Sequence, residues 1–512
     1  MTKRLREARA AGLAVAAVLA IALSGCSNPS PTTNPADTPT STSNQGAGRI
    51  RVAFMQPPKA AMHPYSDDAF KYSRLSASET LVRLDQNADP QPLLATGWEK
   101  TDDLTWVFTL RDDVTFQDGA PFNAEAVTTT IEHAGASDTP PRALKGIALK
   151  AEATGEYEVT ITTDIVDAML PNRLASPQFS IFSPAAYGAA DGSVNTIGTS
   201  TGPFTLTAIN GSSTLTLERN DGYWGDKAIA DGIDASFVPD GTARAAAIRA
   251  GEADVAETIP ISQVPLLDES AVNEVFMPRT THIALNTQSG PFADPAVRAA
   301  ARAAVDSASI AEVIYEGHAD PAVGILGPAL PWAAELRGDV NSTTPPAKID
   351  GVKITLATYT DRAENPEIAV QVQAQLEAVG FVVTQDVREY ANMEEEMLNG
   401  GFDAVVLSRN TMIDTGDPLS ALMQDFSCEG GNNVSQLCDP ALDKIFNEGL
   451  TFEPGPERQK ATMAAEALVL QQSATIPVTH ERVVQGELGT WVDFERDPFE
   501  RRLITEHTKP AG

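Results

Sequence analysis

The chain has 512 residues and carries 37 Lys and Arg against 69 Asp and Glu, a formal net charge of −32 at pH 7. Such an excess of negative charge argues against nucleic-acid binding, which depends on neutralising phosphates, and against adsorption to anionic lipid. The length is sufficient for two or three hydrophobic cores.

The N-terminus has the composition of a secretory signal. Four basic residues precede an apolar run over residues 10–23: Lys3, Arg4, Arg6 and Arg9. The run is too short to span a bilayer comfortably but suits the core of a signal peptide. It ends in Leu-Ser-Gly-Cys, which resembles a bacterial lipoprotein box. That resemblance implies a signal peptide over residues 1–25 and lipidation of Cys26, with acyl chains such as palmitate anchoring the protein in the membrane. An unlipidated secretory signal is the alternative.

A tether is predicted between the membrane and the globular body. Residues 27–48, SNPSPTTNPADTPTSTSNQGAG, contain no aromatic and no large aliphatic side chain, so they cannot bury a core and are expected to be disordered. A flexible coil of this length would span roughly 25 Å. Residues 26–48 are therefore predicted to be a lipidated cysteine and its spacer, with a featureless tail as the alternative.

The body alternates strand-like runs with helical stretches. Alternating or β-branched residues predict strands over residues 49–55, 105–111, 156–163, 204–209 and 213–220. Within the second of these, Trp106, Phe108 and Leu110 alternate along the strand, which predicts that they are core residues.

Two helices with clear end signals are predicted in the second half. Residues 294–315 are expected to be helical, with Asp294 as the N-cap and Pro295 in the first turn. A helix over residues 366–380 is expected to end on a glycine. Strand-like runs around it predict a β-α-β-β series over residues 351–360, 381–387 and 402–408. The mixture favours an α/β fold with more than one lobe.

Four segments resemble, in chain order, the signature stretches of family 5 extracellular solute-binding proteins, the peptide and nickel receptors of ABC importers. They lie at residues 93–127, 198–233, 240–255 and 283–306. The first reads LLATGWEKTDDLTWVFTLRDDVTFQDGAPFNAEAV, and the second contains GTSTGPFTLTAI and LERNDGYWGDKAIADGI. The resemblance implies a two-lobed, periplasmic-binding-protein-like α/β fold that closes on its ligand.

The same resemblance implies boundaries and a role. Lobe I would cover residues 49–282, with an inserted subdomain at about 66–200, and would be completed by a return over residues 481–512. Lobe II would cover residues 283–480. The implied protein captures short peptides at the extracytoplasmic face of the cell membrane and delivers them to ABC permease subunits with cytoplasmic ATPases. We expect a monomer with no catalytic residues, no metal-binding residues and no cofactor.

The sequence IDTGDP, residues 413–418, places two carboxylates in one loop. Asp417 directly before Pro418 fits an N-cap followed by the first turn of a helix. Asp414 has no such role and lies between a strand and a helix, where α/β folds collect ligand contacts. In dipeptide-binding members an aspartate at this place binds the α-ammonium of the peptide, and the resemblance implies that role for Asp414.

Three more residues complete the predicted ligand site. Arg362 stands where those members have an arginine that pairs with the ligand carboxylate, to which a planar guanidinium is suited. Thr411 stands where the peptide-binding members have a tryptophan, so the loop is less apolar here. Arg409 is an additional local cation, which could contact ligand or instead pair with Asp414.

Cys428 and Cys438 are predicted to form a disulfide. Outside the cytoplasm such a pair is expected to be oxidised. A metal site is the alternative, but no histidine lies nearby and two thiolates alone are a poor zinc set. The dipeptide-binding members also carry a disulfide at this place.

Two other functions are compatible with parts of the sequence. A nickel or metal-chelate receptor is the nearer alternative, although nickel-binding members have a histidine where this chain has Leu419 and an arginine in the stretch that contains Gln178 and Ser180. A serine hydrolase is the remote alternative, because GTSTG at residues 198–202 matches G-x-S-x-G. That motif needs a strand before it and a helix after it, whereas Pro203 and a predicted strand follow here.

Overall fold

A computed structural model describes residues 46–189 and 192–512. The signal peptide, Cys26 and most of the predicted tether lie outside the described residues. The strands are, in chain order, β1 (Arg49–Phe54), β2 (Val82–Leu84), β3 (Pro90–Pro92), β4 (Ala95–Asp102), β5 (Thr105–Leu110), β6 (Leu149–Gly155), β7 (Glu158–Thr163), β8 (Phe204–Asn210), β9 (Thr214–Arg219), β10 (Gly232–Phe237), β11 (Val255–Ala256), β12 (Val272–Leu285), β13 (Ala319–Pro321), β14 (Val352–Tyr359), β15 (Phe381–Arg388), β16 (Ala404–Asn410), β17 (Thr475–Glu487), β18 (Trp491–Val492) and β19 (Lys509–Pro510).

The α-helices are spread along the whole described chain. They are, in chain order, α1 (Ala69–Arg74), α2 (Ala124–Ala136), α3 (Leu170–Arg173), α4 (Gly241–Arg249), α5 (Pro295–Ala304), α6 (Ser307–Tyr315), α7 (Pro331–Leu336), α8 (Glu364–Ala378), α9 (Glu394–Leu398), α10 (Pro418–Phe426), α11 (Pro440–Gly449) and α12 (Pro456–Gln471). Within the described ranges, no helix has both the length and the apolar character needed to cross a membrane.

One large sheet organises the body. Its strands lie in the order β15-β14-β16-β12-β17-β11-β1-β10-β9-β8, with β13 paired to β17. The pairs β1/β10 and β14/β15 are parallel, whereas the two longest strands, β12 and β17, run antiparallel to each other. These two strands contribute to both halves of the sheet, so the chain crosses between the halves along them.

The ladder between β12 and β17 is interrupted near its middle. Its register shifts between Phe276 and Thr280, an interval that contains Pro278, which has no N–H to donate. Irregular segments of this kind are where two halves of a protein can bend relative to each other. The predicted lobe boundaries fall within this same pair of strands and stay a prediction.

A separate four-stranded sheet lies within the predicted insertion. Its order is β4-β5-β7-β6, and α2 packs against it. Trp106, Phe108 and Leu110 on β5 are buried, as their alternation predicts. The N-cap of α2 is Asn123, whose side chain accepts a hydrogen bond from the N–H of Ala126.

The predicted helices are present with two differences. The helix expected over residues 294–315 is divided into α5 and α6. Asp294 caps α5 as predicted, but Asp306 accepts a hydrogen bond from the N–H of Ser309 and caps a second helix. The β-α-β-β series also contains a short additional helix, α9, between β15 and β16. Local capping divides a stretch that apolar periodicity alone presents as continuous.

Cys428 and Cys438 form the predicted disulfide, which lies between α10 and α11. The GTSTG segment, by contrast, is irregular and leads directly into β8. Ser200 at its centre is buried. The segment therefore lacks the strand–turn–helix arrangement that exposes a hydrolase nucleophile.

Candidate functional site

A cavity of about 490 Å³ is enclosed by elements from both predicted lobes. All four residues predicted to bind ligand line it: Arg362, Arg409, Thr411 and Asp414. Arg362 lies between β14 and α8, Arg409 lies on β16, and the other two lie in the loop that leads from β16 to α10. The structure therefore brings the predicted residues to one site. Their roles in binding stay a prediction.

Asp414 is already paired with a cation from the opposite side of the cavity. Its Oδ1 accepts a hydrogen bond from Nε of Arg142 at 2.8 Å, and Nη2 of the same guanidinium forms an ion pair with that oxygen at 2.8 Å. Arg142 also forms an ion pair with Asp67. The guanidinium thus lies between two carboxylates, and the three groups together carry one net negative charge. A ligand ammonium at Asp414 would share this carboxylate with Arg142.

The alternative that Arg409 neutralises Asp414 is wrong for this structure, because Arg142 makes that pair. The sequence showed no reason to select Arg142, which lies 272 residues earlier in the chain. The backbone of the Asp414 loop is also held by a residue of the opposite predicted lobe. The guanidinium of Arg501 donates to the carbonyl oxygens of Ile413 and Asp414 at 3.1 and 3.2 Å.

Arg362 also has a protein counter-ion. Its Nη1 donates to Oε2 of Glu481 on β17 at 2.8 Å, and Nε of Arg279 lies 3.7 Å from the same oxygen. Burial disfavours the charge of Arg362, but the carboxylate of Glu481 overcomes this effect and raises the pKa of Arg362. A ligand carboxylate would therefore bind at another edge of a guanidinium that Glu481 holds in place.

Thr411 uses its polar groups within the protein. Its N–H and its hydroxyl both donate to the carbonyl oxygen of Pro278, at 2.9 and 3.2 Å, and the residue is buried. Pro278 lies in the interrupted part of β12. Thr411 therefore links the loop between β16 and α10 to strand β12.

Asp417 has the structural role that its position predicts. Its side chain accepts a hydrogen bond from the N–H of Ser420 at 3.0 Å and so caps α10. Both of its oxygens also accept from the guanidinium of Arg458, with both side chains buried. Burial opposes ionisation of Asp417, but Arg458 outweighs it and lowers the pKa of this carboxyl.

Arg409 differs from its neighbours because, among the described residues, it forms no ion pair. Its Nε is buried without an acceptor, and its hydrogen-bonding neighbour is the hydroxyl of Tyr390. The carboxylate that influences it most is Asp425 on α10. Burial raises the pKa of Asp425 to about 6, although Arg409 and Lys145 oppose this increase.

The cavity wall has a charge balance opposite to that of the chain. Among the described residues, ten Lys and Arg line it against eight Asp and Glu, whereas acidic residues dominate the whole sequence. At its base, Nη2 of Arg279 donates to Oε1 of Glu500 at 2.8 Å. Burial disfavours the charge of Glu500, but Arg279 and Arg74 outweigh it and lower its pKa to about 2. These wall residues were missed because they come from distant segments with no shared motif.

The described residues provide no ready-made metal site. No group of three or more His, Cys, Asp or Glu side chains among them is placed to hold a metal ion. His282 and His480 are buried and bonded to Thr475 and Thr280.

Residues 89–433 match the sequence model of a family described as bacterial extracellular solute-binding proteins, family 5 Middle. Over 456 residues the chain is 27% identical to the probable di/tripeptide-binding protein 5 of Pseudomonas aeruginosa (strain UCBPP-PA14), which covers 80% of this chain and 85% of the relative. It is 26% identical to the glutathione-binding protein GsiB of Escherichia coli (strain K12), with the same coverage.

Solved structures are similar over almost the whole body. A nickel ABC transporter from Bacillus halodurans is 27% identical, with a TM-score of 0.71 over 90% of this chain and 100% of that chain. A dipeptide-binding protein from Pseudoalteromonas sp. SM9913 in complex with Met-Leu is 20% identical, with a TM-score of 0.77 over 90% and 99%. These similarities confirm the predicted two-lobed α/β fold class.

Proposed function

Because the chain belongs to the bacterial extracellular solute-binding proteins of family 5, we propose that it captures short peptides between its two lobes and delivers them to an ABC permease. Members of this family are extracytoplasmic binding components of ABC importers. The permease subunits would be driven by cytoplasmic ATPases. The 27% identity to a di/tripeptide-binding protein supports peptides as the ligand class.

The observation that carries the proposal is a cavity with a net negative charge at one place and a fixed guanidinium at another. The Asp67–Arg142–Asp414 group has a net negative charge, so an ammonium would be attracted to it. Arg362 offers a guanidinium that Glu481 orients at 2.8 Å. A peptide zwitterion carries the two complementary groups, and charge-assisted hydrogen bonds at both ends would hold it.

Capture would work by differential binding. Arg142 and Asp67 belong to predicted lobe I, and Asp414 and Arg362 belong to predicted lobe II. A ligand that contacts both sides would favour the arrangement in which they are close together. The irregular segment of β12 around Pro278 would accommodate the movement.

The finer assignments follow from the N-terminal sequence. We propose cleavage after residue 25, acylation of Cys26, and residues 27–48 as a spacer that holds the body at the extracytoplasmic face of the membrane. More than one acyl chain is needed for stable anchoring. The protein would act as a monomer and would release its ligand chemically unchanged.

A nickel or metal-chelate ligand is the second candidate. It is favoured by the 27% identity to the nickel ABC transporter of Bacillus halodurans. In this chain the chelate itself would have to supply metal ligands, because the cavity wall contains no histidine among the described residues.

Thermal unfolding of the body without its first 26 residues tests the proposal. The compact unit begins at Gly46, so this form keeps the folded part intact. The panel contains a mixed short-peptide pool, glutathione, and nickel with and without free histidine. A ligand at a hundred times its Kd stabilises by about 2.7 kcal/mol, which raises the melting temperature measurably.

The outcomes separate the candidates. A shift with peptides, with the recovered peptides unchanged in mass, would support peptide capture. A shift that requires nickel and histidine together would replace peptides by a chelate. Hydrolysed peptides would contradict a binding protein without catalysis.

A further inference from the structure

One cation in the cavity has no ion-pair partner in the part of the chain that the structure describes. Arg409 is part-buried on β16 and, within the described ranges, forms no ion pair. Its Nε has no acceptor. Its hydroxyl neighbour, Tyr390, is itself oriented by Glu394, whose carboxylate accepts from that hydroxyl at 3.0 Å. A buried guanidinium N–H without an acceptor is unfavourable, and the charge of this guanidinium has no ion-pair partner among the described residues.

A second cation lines the same cavity from the opposite predicted lobe. Lys145 lies in the predicted insertion, and its Nζ rests against the backbone of Gly431, beyond the end of α10. A Cβ added to Gly431 would lie 1.7 Å from that nitrogen, so the glycine leaves the space that the ammonium occupies. Lys145, like Arg409, forms no ion pair with the described residues.

The carboxyl group of Asp425 interacts electrostatically with both cations. This carboxyl is stabilised in the charged form by Arg409 and by Lys145, and it is opposed by the negative charge of Asp414. One carboxylate cannot balance two cations. Asp414 lines the same cavity as Arg409, Lys145 and Asp425, so this cluster shares the cavity with the predicted ammonium site.

We propose that Arg409 and Lys145 form a subsite for an anionic group of the ligand, next to the ammonium site at Asp414. The inference rests on peptide capture and specifies the ligand as a peptide with an acidic first residue. A carboxylate would supply a counter-charge, and a guanidinium can bind it through two parallel hydrogen bonds. An amide of the same shape brings no charge. Since the two cations come from opposite lobes, the acidic group would also bridge them.

Isothermal titration of the body without its first 26 residues, with Asp-Ala and Asn-Ala at pH 7 and constant salt, tests the subsite. We expect Asp-Ala to bind roughly tenfold more tightly or better, as for a charge-assisted hydrogen bond. Arg409→Met and Lys145→Met should each bring the two affinities close together. Lys150→Met is the matched control, because Lys150 is exposed on β6 and does not line the cavity.

Each outcome decides a separate point. Binding of both dipeptides with affinities within twofold would overturn the anionic subsite while peptide capture stands. Failure of both to bind, together with no thermal shift from the peptide pool, would overturn the proposed function as well. A preference found for Ala-Asp over Ala-Asn, but absent from the first pair, would overturn the placement beside Asp414. Lys145 is exposed, so Lys145→Met tests the subsite even if Arg409→Met is unstable.

Discussion

Replacement of Asp414 and replacement of Asp417 are expected to change different properties of the protein. Asp414→Ala should weaken peptide binding and leave stability almost unchanged. Asp417→Ala should destabilise the protein. Asp414 lies in the cavity with its side chain 35% exposed, whereas the side chain of Asp417 is 3% exposed and paired with Arg458.

The magnitudes follow from these environments. The pair between Asp414 and Arg142 is about one-third exposed on both sides, so its loss should cost at most about 1 kcal/mol of stability. Loss of a charge-assisted hydrogen bond to a ligand ammonium should cost about 1.5 kcal/mol or more, roughly tenfold in Kd. Removing Asp417 leaves the charge of Arg458 buried and unpaired, which costs about 3–5 kcal/mol, and removes the cap of α10.

The assay is a double-mutant cycle with a modified ligand. The first ligand is a dipeptide from the pool that is found to bind, and the second is the same dipeptide with an acetylated N-terminus and therefore no ammonium. Isothermal titration measures the affinity of each ligand for the wild type and for Asp414→Ala. Acetylation should weaken binding to the wild type and have little further effect in the variant. Chemical denaturation of Asp414→Ala and Asp417→Ala measures the stability of each.

Two results would refute the reasoning. If acetylation weakens binding equally with and without Asp414, the carboxylate does not bind the ammonium. If Asp414→Ala unfolds as readily as Asp417→Ala, then the Arg142 pair is a structural contact between the lobes and any loss of affinity is indirect.

Three further predictions concern the ligand carboxylate, the acidity of the subsite and the anchor. Arg362→Lys keeps the charge but loses the planar guanidinium, so binding of a dipeptide with a free carboxylate should weaken about tenfold in titration. Binding of a C-terminally amidated dipeptide should be little affected. Equal losses for both dipeptides would remove Arg362 from the carboxylate site. Burial raises the pKa of Asp425 to about 6, so lowering the pH from 7 to 5 protonates this carboxyl and removes its negative charge from beside Arg409 and Lys145. The preference for Asp-Ala over Asn-Ala should therefore increase. The aspartate side chain of the ligand, with an ordinary pKa of about 3.9, remains ionised. Asp425→Asn should show the larger preference at both pH values, and a preference that falls with pH in the wild type would contradict the assignment. Cys26→Ala should move the protein from the membrane fraction to the soluble fraction, as measured by fractionation and immunoblotting. A variant that still sediments with membranes would contradict lipid anchoring.

Features that depend on neighbouring residues could be predicted from the sequence. The caps at Asp294 and Asp417, the buried alternation along residues 105–110 and the disulfide each arise from contacts within a short stretch of chain. The same local reasoning failed where two signals overlapped, since Asp306 divides a continuous apolar pattern into two helices. The family signatures also led to residues that line one cavity.

From the sequence alone, the fold class, several strands and helix starts, and the candidate ligand residues could be predicted. Tertiary structure alone decided their electrostatic partners. Asp414 meets Arg142 across 272 residues of chain, and Arg362 meets Glu481 across 119. Arg409, in the same cavity, forms no ion pair with any carboxylate of the described residues. The physical reason is that a hydrogen-bonded cap is specified within one helical turn, whereas the charge around a side chain depends on which distant segments the fold brings within a few ångströms.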